Sequence, residues 1–186
     1  MPREEAEFEE LLAMYCAPVL KNIKIANMFH ISNKQFDDVK DLVQRYQNKL
    51  KQCGVQFYLF QEGCKRLTIY VYRKHALLHR LHHSKVHSFL SDFGYPDQED
   101  LSAIFKHLNH RLCESCSYPH EIGVFLGYPL EDVEGFMKKE SCKLVGYWKV
   151  YGNPERAKRL FKMYDVYRDE LLDGVYEGKR IERLLC

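Results

Sequence analysis

Two neighbouring runs of strand-forming residues constrain the fold of this chain more than any other feature. Residues 55–60 (VQFYLF) and 65–73 (KRLTIYVYR) are rich in β-branched and aromatic side chains. Glu62 and Gly63 lie between the two runs, as in the turn of a hairpin. The pattern therefore predicts an antiparallel β-hairpin at about 55–73.

Helical periodicity surrounds this hairpin. Residues 34–52 carry apolar side chains at helical spacing, and Gly54 fits the position just past the helix end. A first helix is predicted at 4–14, ended by Cys16-Ala17-Pro18 because the residue before a proline avoids the helical region. Residues 23–31 are interpreted as an extended segment. Other helices are predicted at 74–82, from Ser84, from Asp97 or Asp100, from Pro119 to Leu126, from Pro129 and from Asn153-Pro154.

These elements predict an α+β (mixed α/β) fold. Helices are expected to pack on a small mixed sheet of three to four strands, with VGYWKVY at 145–151 as a further strand. The chain has 186 residues and shows no linker or internal repeat, so we expect a single domain over 1–186.

Composition and hydropathy allow an expectation about the location and partners of the protein. No apolar run approaches the roughly 20 residues that cross a bilayer, and the acidic start of the chain does not resemble a secretory signal. We therefore expect a cytoplasmic protein without a membrane partner, whose seven cysteines are reduced. The formal net charge of +2 does not by itself indicate a nucleic-acid partner.

Four phrases occur together and in order: CAPVLKNIKIANMF at 16–29, LTIYVYR at 67–73, PHEIGVFLGYPLEDVEGF at 119–136 and GYWKVY at 146–151. With them the chain resembles an uncharacterised family of proteins from anaerobic Gram-positive bacteria, known as a domain of unknown function. The resemblance covers nearly the whole chain. It implies a cytoplasmic protein of an anaerobic bacterium and supplies neither an activity nor a cofactor.

A group of thiols and one imidazole is a candidate metal site. Cys113 and Cys116 are separated by two residues, and His120 and Cys142 follow. Thiolate and imidazole are ligands that zinc or iron selects. The same pair is also compatible with a dithiol redox couple, or with two free cysteines beside a loop.

Cys16, His120 and Glu121 provide the residue types of cysteine catalysis. A catalytic cysteine needs a base and often a group that orients the base. Both residues also have ordinary roles at a helix start: the His120 imidazole can hydrogen-bond or cap, and Glu121 is favoured because that end of a helix attracts negative charge.

The stretch 63–91 contains no acidic residue. Its basic side chains, with Arg73, Lys74 and Arg80 as candidates, are predicted to bind an anion such as RNA, a nucleotide or a phosphorylated metabolite. A solvated charged surface, or a second buried face of the strand that carries Tyr70 and Tyr72, is the alternative. The same stretch includes His75, His79, His82, His83 and His87, which we interpret as a solvated histidine face.

Two functions follow as hypotheses. The first is an intracellular thiol-dependent protein that binds metal or takes part in redox chemistry. The second is a non-catalytic binding module for an anionic partner. Trp148 in GYWKVY is the only tryptophan, and such a residue is more often part of the core than a platform for a cofactor. A flavin or nucleotide could stack on it, but the glycine-rich phosphate-binding motifs GxGxxG and GxxxxGK[ST] are absent from the sequence.

Overall fold

The predicted hairpin forms the centre of the structure. A computed structural model describes residues 3–32, 34–62, 66–96, 100–114 and 118–185. Strands β2 (Val55–Glu62) and β3 (Arg66–Arg73) pair antiparallel, and β1 (Ala26–Ser32) pairs antiparallel with the other edge of β3. The order is therefore β1-β3-β2. The α+β fold class and the hairpin are confirmed, and the described strand pairs are all antiparallel, whereas a mixed sheet was expected.

Helices account for most of the remaining described chain. In order they are α1 (Arg3–Leu20), α2 (Val39–Leu50), α3 (Lys74–Leu81), α4 (Ser84–Ser91), α5 (Leu101–Glu114), α6 (Ile122–Phe125), α7 (Leu130–Met137), α8 (Pro154–Tyr176) and α9 (Ile181–Leu184). A two-stranded unit, β4 (Leu144–Val145) and β5 (Lys149–Val150), precedes α8. No helix in the described ranges combines the length and apolar character needed to cross a membrane.

Alternation along the central strands separates two buried layers. Ile69 and Val71 on β3 face a cluster that we call the N-terminal core, formed with apolar residues of α1, α2 and the end of α8. Tyr70 and Tyr72, which alternate with them, pack with residues of α3 to α6 and are 1% and 7% exposed. The face that carries these two tyrosines is therefore a second buried face and not an aromatic surface in solvent.

Side-chain caps mark the starts of several predicted helices. Asp38 caps α2 by accepting a hydrogen bond from the Asp41 amide. This cap lies four residues after residue 34, where periodicity predicted the helix to begin. Asp100 accepts hydrogen bonds from the amides of Ser102 and Ala103. Asp97, the other predicted start of α5, lies outside the described residues.

The predicted end of the first helix is wrong. Helix α1 continues through Pro18 to Leu20. Arg73 explains the extension: its Nε donates to the Val19 carbonyl at 2.8 Å, and its Nη2 donates to the Leu20 carbonyl at 2.6 Å. A charged donor from the central sheet thus satisfies carbonyl groups at the helix end, which local sequence does not indicate.

The single strand predicted at 145–151 is also wrong. The chain turns between β4 and β5, and the Gly146 amide donates to the Trp148 carbonyl at 3.1 Å. Gly146 packs so closely on Phe161 that a Cβ atom would come within 2.3 Å of the Phe161 ring. This close approach of backbone and ring requires glycine in the turn.

Candidate functional site

A cleft of about 390 Å³ opens between α6, α7 and the β4–β5 hairpin. Its walls come from two segments, 118–136 and 147–149, which belong to the most distinctive phrases of the sequence. Five of its lining side chains are aromatic, and we call it the aromatic cleft. It is lined by Tyr118, Pro119, His120, Ile122, Gly123, Tyr128, Asp132, Val133, Phe136, Tyr147, Trp148 and Lys149.

A pair of stacked rings forms one wall of the aromatic cleft. The Tyr128 and Trp148 ring centroids lie 4.9 Å apart with an interplanar angle of 23°. Phe161 packs edge-on against the Trp148 ring at 4.6 Å, which limits its rotation. Arg80 donates from Nη2 to the Tyr128 carbonyl at 2.5 Å. The wall is therefore fixed before any ligand arrives.

Asp132 fixes the position of Trp148. One carboxylate oxygen accepts from Trp148 Nε1 at 2.7 Å, and the other accepts from the Tyr151 and Gly152 amides, each at 2.7 Å. Asp132 is only 3% exposed, so these charge-assisted hydrogen bonds lie in a dry environment. They join α7 to the β4–β5 hairpin and hold both sides of the cleft at a set distance.

Phe136 forms the rim of the aromatic cleft and is 40% exposed. The His120 ring packs edge-on against it, with centroids 5.0 Å apart. Lys149 Nζ lies 5.4 Å from the centroid of the same ring. An imidazole and an ammonium group therefore both lie beside one apolar ring at the cleft opening.

Tyr118 connects the aromatic cleft to the central sheet. Its hydroxyl lies 2.6 Å from Nε2 of His30 on β1. Nδ1 of His30 lies in turn 2.7 Å from the hydroxyl of Thr68 on β3, which is fully buried. This chain of hydrogen bonds fixes the Tyr118 hydroxyl at the edge of the cleft.

Lys24 places a buried ammonium group behind the stacked wall. It is 8% exposed, its Nζ lies 5.3 Å from the Tyr128 ring centroid, and it donates to Asn27 Oδ1 at 3.1 Å. Burial lowers the pKa of Lys24 to about 8, and the nearby Cys16 thiol partly opposes this change. The amine therefore titrates close to physiological pH.

The predicted metal ligands are only partly described. Cys116 lies outside the described residues, and Cys113, His120 and Cys142 are exposed. Among the residues that the structure describes, no group of three or more His, Cys, Asp or Glu side chains could hold a metal ion. The zinc or iron site with Cys116 stays a prediction, which metal analysis of protein purified without oxygen would test.

The three candidate catalytic residues have different surroundings. Cys16 is fully buried in the N-terminal core, and burial raises the pKa of its thiol, which disfavours the reactive thiolate. His120 lines the aromatic cleft. Glu121 is 1% exposed and pairs with Arg111 on α5 and with the Tyr95 hydroxyl. The geometry therefore gives no support to a nucleophilic Cys16.

The candidate anion-binding residues also differ. Arg73 donates to three carbonyl oxygens, the third being that of Cys53 at 2.6 Å. Arg80 is half-buried, and burial lowers the pKa of both guanidinium groups. Lys74 is exposed and presents its charge to solvent. Arg73 and Arg80 thus donate to backbone carbonyl groups of the protein itself. An anion site at 63–91 stays a prediction.

Sequence reasoning identified part of the aromatic cleft. His120 and Trp148 were singled out in the sequence, and both line it. Asp132 and Lys149 were missed as site residues. Asp132 lies among other acids, with Glu131 before it and Glu134 two residues after it, so nothing local distinguishes it, and its partners lie 16 to 20 residues further along the chain.

The structure defines an α+β protein with an aromatic cleft between two short helices and a hairpin. Residues 12–185 match the family model described as "Protein of unknown function (DUF3793)". The chain belongs to this family, and the resemblance to an uncharacterised family is thereby confirmed. Comparison with curated proteins and comparison with solved structures each found no match.

Proposed function

We propose that this protein binds a small, flat molecule in the aromatic cleft. The observation that carries the proposal is the stacked pair of Tyr128 and Trp148, which offers a rigid aromatic wall beside open space. Aromatic side chains bind flat rings by stacking, and each stacked base contributes about 1–3 kcal/mol in nucleic-acid binders.

The size and fixed geometry of the cleft support this proposal. A volume of about 390 Å³ falls within the range of sites that hold small organic ligands. The three hydrogen bonds of Asp132 keep Trp148 in place, so little conformational entropy is lost when a ligand binds. The proposed role is a binding function, and the same cleft would serve an enzyme as its substrate site.

Fluorescence titration tests the proposal directly, because Trp148 is the only tryptophan in the chain and lines the cleft. We expect adenosine and benzamide, two uncharged flat probes, to change the Trp148 emission in a saturable way. Phe136→Ala removes the apolar rim and should weaken binding of either probe by about tenfold, the cost of losing one buried aromatic contact.

Tyr176→Ala is the matched control for that substitution. Tyr176 is an exposed aromatic residue (65%) on α8 and does not line the cleft. We expect this variant to bind both probes as the wild type does. Equal loss of binding in the two variants, or an unsaturable response in the wild type, would contradict the proposal.

A further inference from the structure

We propose that the ligand of the aromatic cleft is an anion, whose phosphate or carboxylate group is bound by Lys149 while its ring stacks on the wall. This inference rests on the proposed function and adds the charge of the ligand. It assigns Lys149 as the specificity-determining residue of the site.

Lys149 has the position and the freedom that this role requires. It is exposed at the mouth of the cleft, and its Nζ lies 5.4 Å from the Phe136 centroid. Within the described ranges, no carboxylate lies at ion-pair distance from this ammonium group, whereas Lys143 and Lys158 have oxygen partners at 2.9 Å and 2.8 Å. Lys149 is thus available to a ligand.

The charges around the aromatic cleft favour an anion. Asp132 is the acidic residue among those that line it, and both of its oxygens already accept hydrogen bonds. Lys24 adds an ammonium group behind Tyr128. Apolar walls strengthen the attraction because they exclude water from the path between the charges. The buried Asp132 carboxylate is thus committed to protein donors, whereas the exposed Lys149 ammonium group lies at the open side of the cleft.

His120 supplies a second polar contact at the same place. Its ring packs edge-on against Phe136 with centroids 5.0 Å apart, and Lys149 Nζ lies 5.4 Å from the centroid of the same ring, so both groups lie at the cleft opening. A neutral imidazole has one N–H donor, and phosphate and carboxylate oxygens accept such bonds. An aromatic phosphate or an aromatic carboxylate can interact with both His120 and Lys149 through its anionic group, whereas an uncharged ring has no such group.

Two matched pairs of probes separate the effect of charge from that of the ring. Adenosine and AMP differ by a phosphate group, and benzamide and benzoate differ by a carboxylate charge. Titration at low salt, followed by Trp148 emission, should show at least one anion binding about tenfold more tightly than its neutral partner. The pair that shows the advantage identifies phosphate or carboxylate as the group that the site accepts.

Lys149→Met tests the residue assignment. The substitution keeps an unbranched side chain beside Phe136 and removes the charge. We expect the variant to bind the preferred anion no more tightly than its neutral partner. Lys138→Met is the control, because Lys138 is exposed near α7, faces Glu134 at 3.9 Å and does not line the cleft.

The outcomes separate this inference from the proposed function. Saturable binding with equal affinities within both pairs would overturn the anion assignment and leave the binding function intact. An anion advantage that survives Lys149→Met would overturn the role of Lys149. If none of the four probes changes the Trp148 emission, both the binding function and the anion assignment are overturned.

Discussion

The N-terminal core and the aromatic cleft each contain a buried, fully partnered acid, but the residues around the two acids differ in exposure. In the N-terminal core, Glu9 is fully buried and is enclosed by the Tyr46 hydroxyl at 2.6 Å, the Ile181 amide at 3.0 Å and Arg180 Nε at 2.9 Å. At the cleft, Asp132 is equally satisfied, but Phe136 and Lys149 beside it are exposed to solvent.

This difference distinguishes residues that stabilise the fold from residues available to a ligand. Where every polar group has a protein partner, substitution should change stability. Where apolar and charged groups face an open cleft, substitution should change binding and leave stability nearly unaltered. Four substitutions test this distinction, and the expected change in the free energy of unfolding decreases from the first to the fourth.

The largest effect is expected for Glu9→Ala. Removal of the carboxylate leaves the Tyr46 hydroxyl and the Ile181 amide without their acceptor and takes from Arg180 one of its two buried carboxylates, Glu5 being the other, which should lower the free energy of unfolding by about 3 kcal/mol. Urea denaturation measures this change. Glu7→Ala, on the same helix but only half-buried, is the control and should cost less than about 0.5 kcal/mol.

Arg73→Met should lower the free energy of unfolding by about 2 kcal/mol. The variant loses three hydrogen bonds from a charged group to the carbonyl oxygens of Val19, Leu20 and Cys53. Lys74→Met changes the next residue, which is exposed, and should be close to neutral. Equal stability of the two variants in thermal denaturation would show that Arg73 does not hold the end of α1.

Lys24→Met should raise the free energy of unfolding at pH 7 by roughly 1 kcal/mol, because it replaces a buried ammonium group that has no carboxylate partner in the described ranges. Burial lowers the pKa of Lys24 from 10.5 to about 8. Between these values the unfolded chain binds a proton that the folded chain has released, so wild-type stability rises with pH.

The pH dependence provides the check for Lys24. The advantage of Lys24→Met over the wild type should be complete below pH 8 and shrink as the pH rises towards 10. Urea denaturation of both proteins at pH 7 and pH 9.5 measures it. If the extra stability of Lys24→Met does not change with pH, it arises from packing and not from removal of the charge.

The smallest change in stability is expected for Phe136→Ala. Because this ring is 40% exposed, its truncation should alter the free energy of unfolding by less than about 1 kcal/mol, although it weakens ligand binding. Urea denaturation in the absence of ligand measures the change. A loss of stability comparable to that of Glu9→Ala would mean that Phe136 belongs to the structural core and does not differ in role from the buried residues around Glu9.

Local patterns predicted the elements whose causes are local. The 55–73 hairpin and α2 follow from periodicity over a few turns, and Asn153 caps α8 by accepting from the Arg156 amide at 3.0 Å. The extension of α1 past Pro18 was not predictable, because its cause is Arg73, more than fifty residues away in the sequence.

The residues of the candidate site were likewise predicted only in part. The sequence indicated His120 as a possible ligand or base and Trp148 as a possible stacking residue, and both line the cleft. The turn at 146–148 and the clamp by Asp132 depend on packing against Phe161 and on partners in another segment. Periodicity carries no information about such contacts, so the cleft itself was not predicted.

The spans of these contacts also imply an order in which the two regions can be completed during synthesis. The clamp that holds the cleft joins Asp132 to residues 148–152, so it can close soon after that segment has left the ribosome. The hydrogen bond from the Ile181 amide to Glu9 joins residues 172 positions apart. Helix α1 is synthesised long before residue 181, and until that segment has left the ribosome the Glu9 carboxylate lacks its Arg180 and Ile181 partners.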